Sequence, residues 1–311
     1  MEPEKNRILI HFLHIDAHDW MAKMRIFTVA VFLTCLLFLC QHSSACTVFY
    51  ASIGDVVLAG NNEDWKNPKT KVWFVPAKDG KYGGVYFGFN KPIIHGSWVA
   101  QGGMNEKGLF FDVTATKPVK VEILAGPKKP FFDGWDLIRQ RIMFECATVK
   151  EALDLLSQYR YPPGTRKATM RGMYIIGDAT GDAAILGAFG VIRKKGQYLV
   201  ATNFQQSETL DIKEIRCSRY ITASGMLQKC PELTVDYFRK VLSATHQKGK
   251  YCTRYSNIYD LKQQQVYLYH MHDFNNVVVI DLKEDLKKGK RTIKLPSLFA
   301  AGPAYVGHEG P

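Results

Sequence analysis

An α+β domain built on antiparallel sheets is the fold class the sequence predicts, and three observations carry it. Short β-rich runs punctuated by turn signals fill residues 47–114. The apolar period then changes to that of a helix from Asp133 to residue 156, and strands resume after Pro162-Pro163-Gly164. Strands, then helices, then strands again, joined mostly by hairpins, describe two facing antiparallel sheets covered by helices rather than a parallel βαβ array.

Each element has a local reason. Runs at 47–51 and 56–59 flank Ser52-Ile53-Gly54-Asp55, a hairpin signal, and Gly60 frees the backbone ahead of Asn61-Asn62-Glu63-Asp64-Trp65. Further strands are expected at 71–76, 84–89, 97–101 and 109–114, the last two around Asn105-Glu106-Lys107-Gly108 with glycine where a tight turn needs positive φ. Asp133-Gly134-Trp135-Asp136 opens a helix with Leu137, Ile138, Ile142 and Cys146 on one face, and Thr148-Val149-Lys150-Glu151 is a capping box for a second. Strands follow at 173–176, 183–186 and 198–202. Thr234 caps a helix carrying Phe238, Val241 and Leu242, and strands at 265–270 and 277–282 precede a short charged helix. Trp65, Phe87, Phe89, Trp98, Phe110 and Phe111 read as core, with one or two lining a pocket.

Ahead of this domain, Lys23 and Arg25 form a basic n-region, residues 26–39 a 14-residue apolar run, and Ser43-Ser44-Ala45 a small-residue cleavage site. That pattern is a secretory signal, too short for a spanning helix, so the chain divides into an extension with a cleaved signal (1–45) and one domain (46–311). Secretion or periplasmic export is the expected localisation, ahead of a lysosomal destination. A lipoprotein anchor is disfavoured because Ser43 stands where that site takes leucine.

The first 45 residues carry four basic and four acidic side chains, so their loss leaves the net charge at +12. The basic residues are scattered, concentrated only at Lys283, Lys287, Lys288, Lys290, Arg291 and Lys294, without interleaved aromatics, so no nucleic-acid partner is expected. Contact with a membrane is expected only through the signal segment, and homo-oligomers are compatible with the chain. Cys46, Cys146, Cys217, Cys230 and Cys252 remain after the signal, an odd number that fits two disulfides plus one reactive thiol or a set of reduced cysteines. His95, His246, His270 and His272 show no convincing ligand spacing, although His270 and His272 would share a face if they lay on one strand. Neither a metal nor an organic cofactor is expected.

Cleavage before Cys46 would give one residue both a thiol and a free α-amine, a nucleophile with its own base. A thiol of pKa about 8.5 is mostly protonated at neutral pH, whereas an α-amine of about 7.7 to 8.0 can take its proton. Asp64, 18 residues downstream across the first hairpin, can orient that amine. Oxyanion donors are sought at Asn203, at a strand end, and at backbone N–H groups near Asn61 and Asn62.

The chain resembles a family at this point. The strand from Cys46-Thr47, the turn ending Gly-Asn-x-x-Asp, Asn-Glu-Lys-Gly-Leu at 105–109, Ala201-Thr202-Asn203 and Cys217-Ser218-Arg219-Tyr220 recur in that order in N-terminal-nucleophile (Ntn) hydrolases of the choloylglycine hydrolase and penicillin V acylase type, the linear amide C–N hydrolases. The resemblance implies a four-layer αββα sandwich and cleavage of a linear non-peptide amide, a small molecule with an apolar acyl group, through an acyl-thioester. Carried over, it makes Cys46 the nucleophile, Asp64 the partner of the α-amine, Asn203 an oxyanion donor and Arg219 an electrostatic support; Asn61, Asn62 and Thr114 are this chain's own candidates toward the substrate.

The chain departs from the family at two positions. Asn61 stands where the bile-salt and penicillin V branches place arginine, and Ala115 where they place asparagine, leaving Thr114 or Asp112 near the second position. Asn62-Glu63-Asp64 is also similar to the N-terminal-Cys dipeptidases and acyltransferases of the same superfamily. A catalytically silent binding protein on this fold is the reading from another class.

Overall fold

The computed structural model describes residues 46–89, 100–121, 135–159, 169–207 and 210–299. The segment expected to be a secretory signal, Trp98, His95, most of the strand expected at 97–101 and the helix start at Asp133 fall outside them. The described strands are β1 (Thr47–Ile53), β2 (Val56–Asp64), β3 (Thr70–Val75), β4 (Gly84–Phe89), β5 (Gly102–Asn105), β6 (Phe110–Lys120), β7 (Thr169–Gly177), β8 (Ala183–Gly187), β9 (Gly190–Arg193), β10 (Tyr198–Ala201), β11 (Thr253–Asp260), β12 (Gln265–His270), β13 (Asp273–Asp281) and β14 (Arg291–Lys294). The helices are α1 (Trp135–Glu145), α2 (Val149–Ser157), α3 (Ser218–Gln228), α4 (Val235–Thr245) and α5 (Leu282–Lys287).

Two antiparallel sheets result, one of six strands in the order β10-β1-β2-β11-β12-β13 and one of eight in the order β14-β3-β4-β5-β6-β7-β8-β9. Strand alternation sorts the side chains into layers. Val48, Tyr50, Val57, Ala59, Tyr255 and Tyr259 of the smaller sheet meet Phe74, Phe87, Phe110 and Ile175 of the larger one. On the opposite face Phe49, Leu58 and Ile258 pack under Ala223 and Leu227 of α3 and Phe238, Val241 and Leu242 of α4. Phe111 and Ile176 carry Ile138, Ile142, Val149 and Leu156 of α1 and α2 on the far side of the larger sheet. The layers therefore run helix, sheet, sheet, helix, the expected αββα order. Phe238, fully buried against Phe49 at 4.9 Å between ring centroids, alone contributes about 2–3 kcal/mol through apolar burial.

The caps read from sequence form. Thr148 Oγ1 accepts from the Glu151 N–H at 3.2 Å while Glu151 Oε2 accepts from the Ala147 N–H at 2.6 Å. Thr234 Oγ1 accepts from the Tyr237 N–H at 3.1 Å. The Asn105-Glu106-Lys107-Gly108 turn also ties the larger sheet to α1. Asn105 Oδ1 accepts from the Lys107 and Leu109 N–H groups, and its Nδ2 donates to Met143 O and Cys146 O, both at 2.9 Å. Gly108 sits at φ +76, with a would-be Cβ 2.4 Å from Leu261 O, so a side chain there meets backbone.

Some expectations change. His270 ends β12, while Met271 (φ 49°) and His272 (φ 55°) form the turn into β13, so the two histidines do not share a strand face. His272 lies instead against His246, centroids 5.2 Å apart. Cys46, Cys146, Cys217, Cys230 and Cys252 are all free thiols, so the reading with two disulfides is replaced by the one with reduced cysteines. Strands β5, β9, β11 and β14 were not anticipated, β5 because it begins after the expected 97–101 run and ends in the Asn105 turn, β11 because Arg254, Ser256 and Asn257 interrupt its apolar pattern. The basic residues near the C-terminus are partly neutralised locally, as Lys287 pairs with Glu284 and both Lys288 and Arg291 pair with Asp285.

Candidate active site

The site forms where β1 begins beside the end of β2. The hairpin register sets Thr47 opposite Asn62 and Val48 opposite Asn61. Period-two alternation then assigns the faces. Cys46 shares the inter-sheet face with Val48 and Tyr50, as do Asn61 and Glu63 of β2. Thr47, Asn62 and Asp64 face the helix layer.

Arg219 gathers the helix-side groups. It lies in the first turn of α3, after the N-cap Cys217, where a cation works against the helix dipole by about 0.3–1 kcal/mol. Its bonds offset that cost. Nη1 donates to Cys46 O and to Thr47 Oγ1, both at 2.8 Å, and Nη2 donates to Asn203 Oδ1 at 3.1 Å. The same guanidinium stands 3.8 Å from Asp64 Oδ2. Asn203 Nδ2 in turn donates to Ala115 O at 2.6 Å, joining the end of β10 to β6 of the other sheet. Cys46, Asp64, Asn203 and Arg219, far apart in sequence, therefore belong to one connected network.

Asp64 is fully buried. Its Oδ1 accepts from the Thr253 hydroxyl and its Oδ2 from Gln247 Nε2 at 2.7 Å. Burial nevertheless pushes its carboxyl up to about 7, against the downward pull of Thr253, Arg219 and Gln247. At Cys46 burial raises the thiol well above its ordinary range, and the carboxylates of Glu63, Asp64 and Asp112 add to this, while the Asp64 backbone N–H donates to the sulfur and opposes it. In the uncleaved chain the thiol is therefore held protonated.

The remaining expected residues divide. Asn61 is fully buried, and neither atom of its amide finds a partner among the described residues. Asn62 faces away from the thiol: its Nδ2 donates to Leu242 O at 2.9 Å and to Thr245 Oγ1 at 3.0 Å, and its Oδ1 accepts from Ser256 Oγ at 2.6 Å. Asn62 is thus a tether between sheet and α4, not a group directed at a substrate. Thr114 lies on the inter-sheet face of β6, buried, and its hydroxyl has no partner among the described residues. Two carboxylates share that face: Asp112, two residues from Thr114 and its expected alternative near the second departed position, and Glu63, to which motif reading gave no role of its own. Burial, and next the charge of Glu63, hold the Asp112 carboxyl well above the usual carboxylate range. The signal for them was the alternation itself, which sets Glu63 on the face of Cys46. A cavity of about 380 Å³ opens beside the network, lined by Asn203, Phe204, Ile215, Cys217 and Arg219 among others.

Comparison with solved structures places the fold. The chain superposes on a penicillin V acylase from Agrobacterium tumefaciens with a TM-score of 0.55 at 18% identity, covering 80% of this chain and 91% of that one. A mutant of the conjugated bile acid hydrolase from Clostridium perfringens gives a TM-score of 0.59 at 14% identity, covering 80% of this chain and 96% of that one. A second variant of that hydrolase gives 0.59 at 15%, covering 80% and 97%. No family model matches the chain, and no curated protein matches it by sequence. The chain thus shares the fold of these solved structures.

Proposed function

We propose that the exported, trimmed protein is an amidohydrolase that cleaves a linear amide C–N bond with the thiol of an N-terminal Cys46. The observation that carries this reading is the position of Arg219, bonded at once to Cys46 O, Thr47 Oγ1 and Asn203 Oδ1 and within 3.8 Å of Asp64. A backbone fixed that firmly at its first residue gives a nucleophile a defined orientation. The proteins that share the fold are, by name, a penicillin V acylase and a conjugated bile acid hydrolase, which supports a hydrolytic reaction of the same class here.

Removal of residues 1–45 leaves a primary amine on Cys46. The amine takes the thiol proton, and the thiolate attacks the amide carbonyl. The resulting oxyanion is met by the second Asn203 N–H, the first being engaged with Ala115 O, and by Asn61 Nδ2. Collapse breaks the C–N bond, the amine leaves with the proton held by the α-ammonium, and water then hydrolyses the thioester. Asp64 holds the α-ammonium, and Arg219 keeps Cys46, Asn203 and Asp64 in register. Burial and carboxylates raise the thiol in the uncleaved chain, so trimming serves as the activating step.

A panel of penicillin V, conjugated bile salts, N-acyl amino acids and dipeptides tests the proposal with the trimmed protein and its Cys46→Ala variant. Turnover of at least one linear amide, lost in the variant, is expected. Equal turnover by the two proteins would refute the mechanism, and cleavage of dipeptides alone would move the reaction to the dipeptidase class.

A further inference from the structure

Two histidines that the proposed chemistry does not use meet beside it. His246 caps the C-terminal end of α4, and His272 follows Met271 in the turn between β12 and β13, both half-buried. Met271 at φ 49° and His272 at φ 55° are successive non-glycine residues in the left-handed region, a backbone that costs energy and recurs at functional sites. The turn takes His272 out of the line of β12 and lays its ring against that of His246, with centroids 5.2 Å apart and planes inclined by 56°. Phe274 stands edge-on to His246 at 5.9 Å.

Each imidazole has its tautomer set. His246 Nδ1 donates to Ser243 O at 2.5 Å and His272 Nδ1 donates to Met271 O, which leaves the lone pair of each ring on Nε2. Neither Nε2 has a hydrogen-bond partner among the described residues. A backbone carbonyl on one ring nitrogen is the arrangement that orients a histidine for a metal on the other. The spacing fits as well. A tetrahedral zinc ion takes imidazole nitrogens at about 2.0–2.1 Å, and with each ring centre about 1.1 Å behind its nitrogen the two centroids fall roughly 5 Å apart.

The surroundings admit a cation. The C-terminal end of a helix carries partial negative charge, and Asp273 adds more, while Lys248 opposes. Burial, then His246 and Lys248, lower the pKa of His272, so its ring is neutral near pH 7, the form that ligates. Among the described residues no group of three histidine, cysteine or carboxylate side chains forms a ligand set. Water therefore fills the other positions, and the ion is exchangeable rather than part of the folded core.

We propose that His246 and His272 bind a zinc-type divalent cation, one Nε2 from each ring, where the end of α4 meets the turn between β12 and β13. The site stands independently of the amidohydrolase reading, yet it borders that chemistry. Gln247, the next residue, donates to Asp64 Oδ2 at 2.7 Å, and its backbone N–H and carbonyl bond Thr253 Oγ1 and N at 2.8 and 3.0 Å. A metal joining α4 to the turn restrains the segment that delivers Gln247 and Thr253 to Asp64.

Calorimetric titration of Zn²⁺ into the tag-free exported protein tests this, in a Cys46→Ala background so that the nucleophile's thiol does not compete. His246→Ala and His272→Ala should each weaken binding at least tenfold. Affinity in the parent should fall as pH drops below about 6.5, where imidazoles take up protons, and Mg²⁺, which prefers oxygen ligands, should not displace the zinc. No binding, or equal affinity in the parent and both variants, overturns the site and leaves the rings as a packing contact. Should an alanine variant fail to fold, substoichiometric Cu²⁺ added to the unaltered protein should broaden the imidazole proton resonances of His246 and His272 together, ahead of those of other histidines. Broadening of neither, or of only one of the two, overturns the proposal.

Discussion

Asp64 offers a prediction that follows directly from its burial. Its carboxyl rises from 3.8 to about 7, and a shift of about three units corresponds to about 4 kcal/mol between the two protonation states. The folded value is the higher one, so this group's contribution to stability is fully present below about pH 4 and is lost as pH rises toward about 7, levelling above that. The figure is an upper bound because relaxation around a buried carboxylate softens the penalty. At ~2–4 °C per kcal/mol for a domain of this size, up to about 8–16 °C of thermal stability should disappear across the window. Asp112 is raised in the same direction and adds a slope of the same sign, so the informative quantity is the difference between the uncleaved wild type and Asp64→Asn, which cannot ionise. Thermal unfolding followed by circular dichroism at about pH 4.5 and about pH 7.5 gives it, with the variant expected to show the shallower dependence. In the trimmed protein the α-ammonium beside Asp64 should lower its pKa and shrink the difference. Identical pH dependence in wild type and Asp64→Asn before trimming would refute the account of this carboxylate.

Other substitutions separate scaffold from chemistry. Arg219→Met should lower kcat/KM by about a hundredfold through misplacement of Cys46 and Asn203, with Arg219→Lys a poor rescue because one ammonium cannot reproduce the guanidinium fork; full activity in either would count against the network. Asn62→Ala should cost about 2 kcal/mol in a denaturation midpoint by freeing α4 from β2, with the ranking of substrates unchanged, and a changed ranking would return Asn62 to the substrate side. Gly108→Ala should cost about 3 kcal/mol from positive φ and the Leu261 carbonyl, and a neutral result would contradict the turn geometry. Thr234→Ala should cost about 1 kcal/mol by uncapping α4.

Much of the scaffold was legible because its signals are local. The Gly54-Asp55 hairpin, both threonine caps and the Gly108 turn each need only a few neighbouring residues to be specified. Strand β11 was hidden because Arg254 projects to Trp65 O and Lys66 O while Ser256 and Asn257 are buried between neighbouring strands, so its pattern resembles a loop until the sheet exists. Within the site, alternation along β2 would have separated Asn61 and Glu63 from Asn62 and Asp64, but a motif read as a block of four hides that division. The approach of Asp112 to the face of Cys46 depends on packing one sheet over the other, and no sequence spacing encodes it. His270 and His272 show the converse failure, where a turn in positive φ breaks a strand face that spacing suggested.

The most direct test of the central claim is the mass of the protein quenched during turnover of an amide, with peptide mapping of the adduct. The account predicts a chain beginning at Cys46 and carrying the acyl group as a thioester on that residue's sulfur. An amide turned over by a chain that still retains residues before Cys46, or an acyl group found on any other residue, would contradict it.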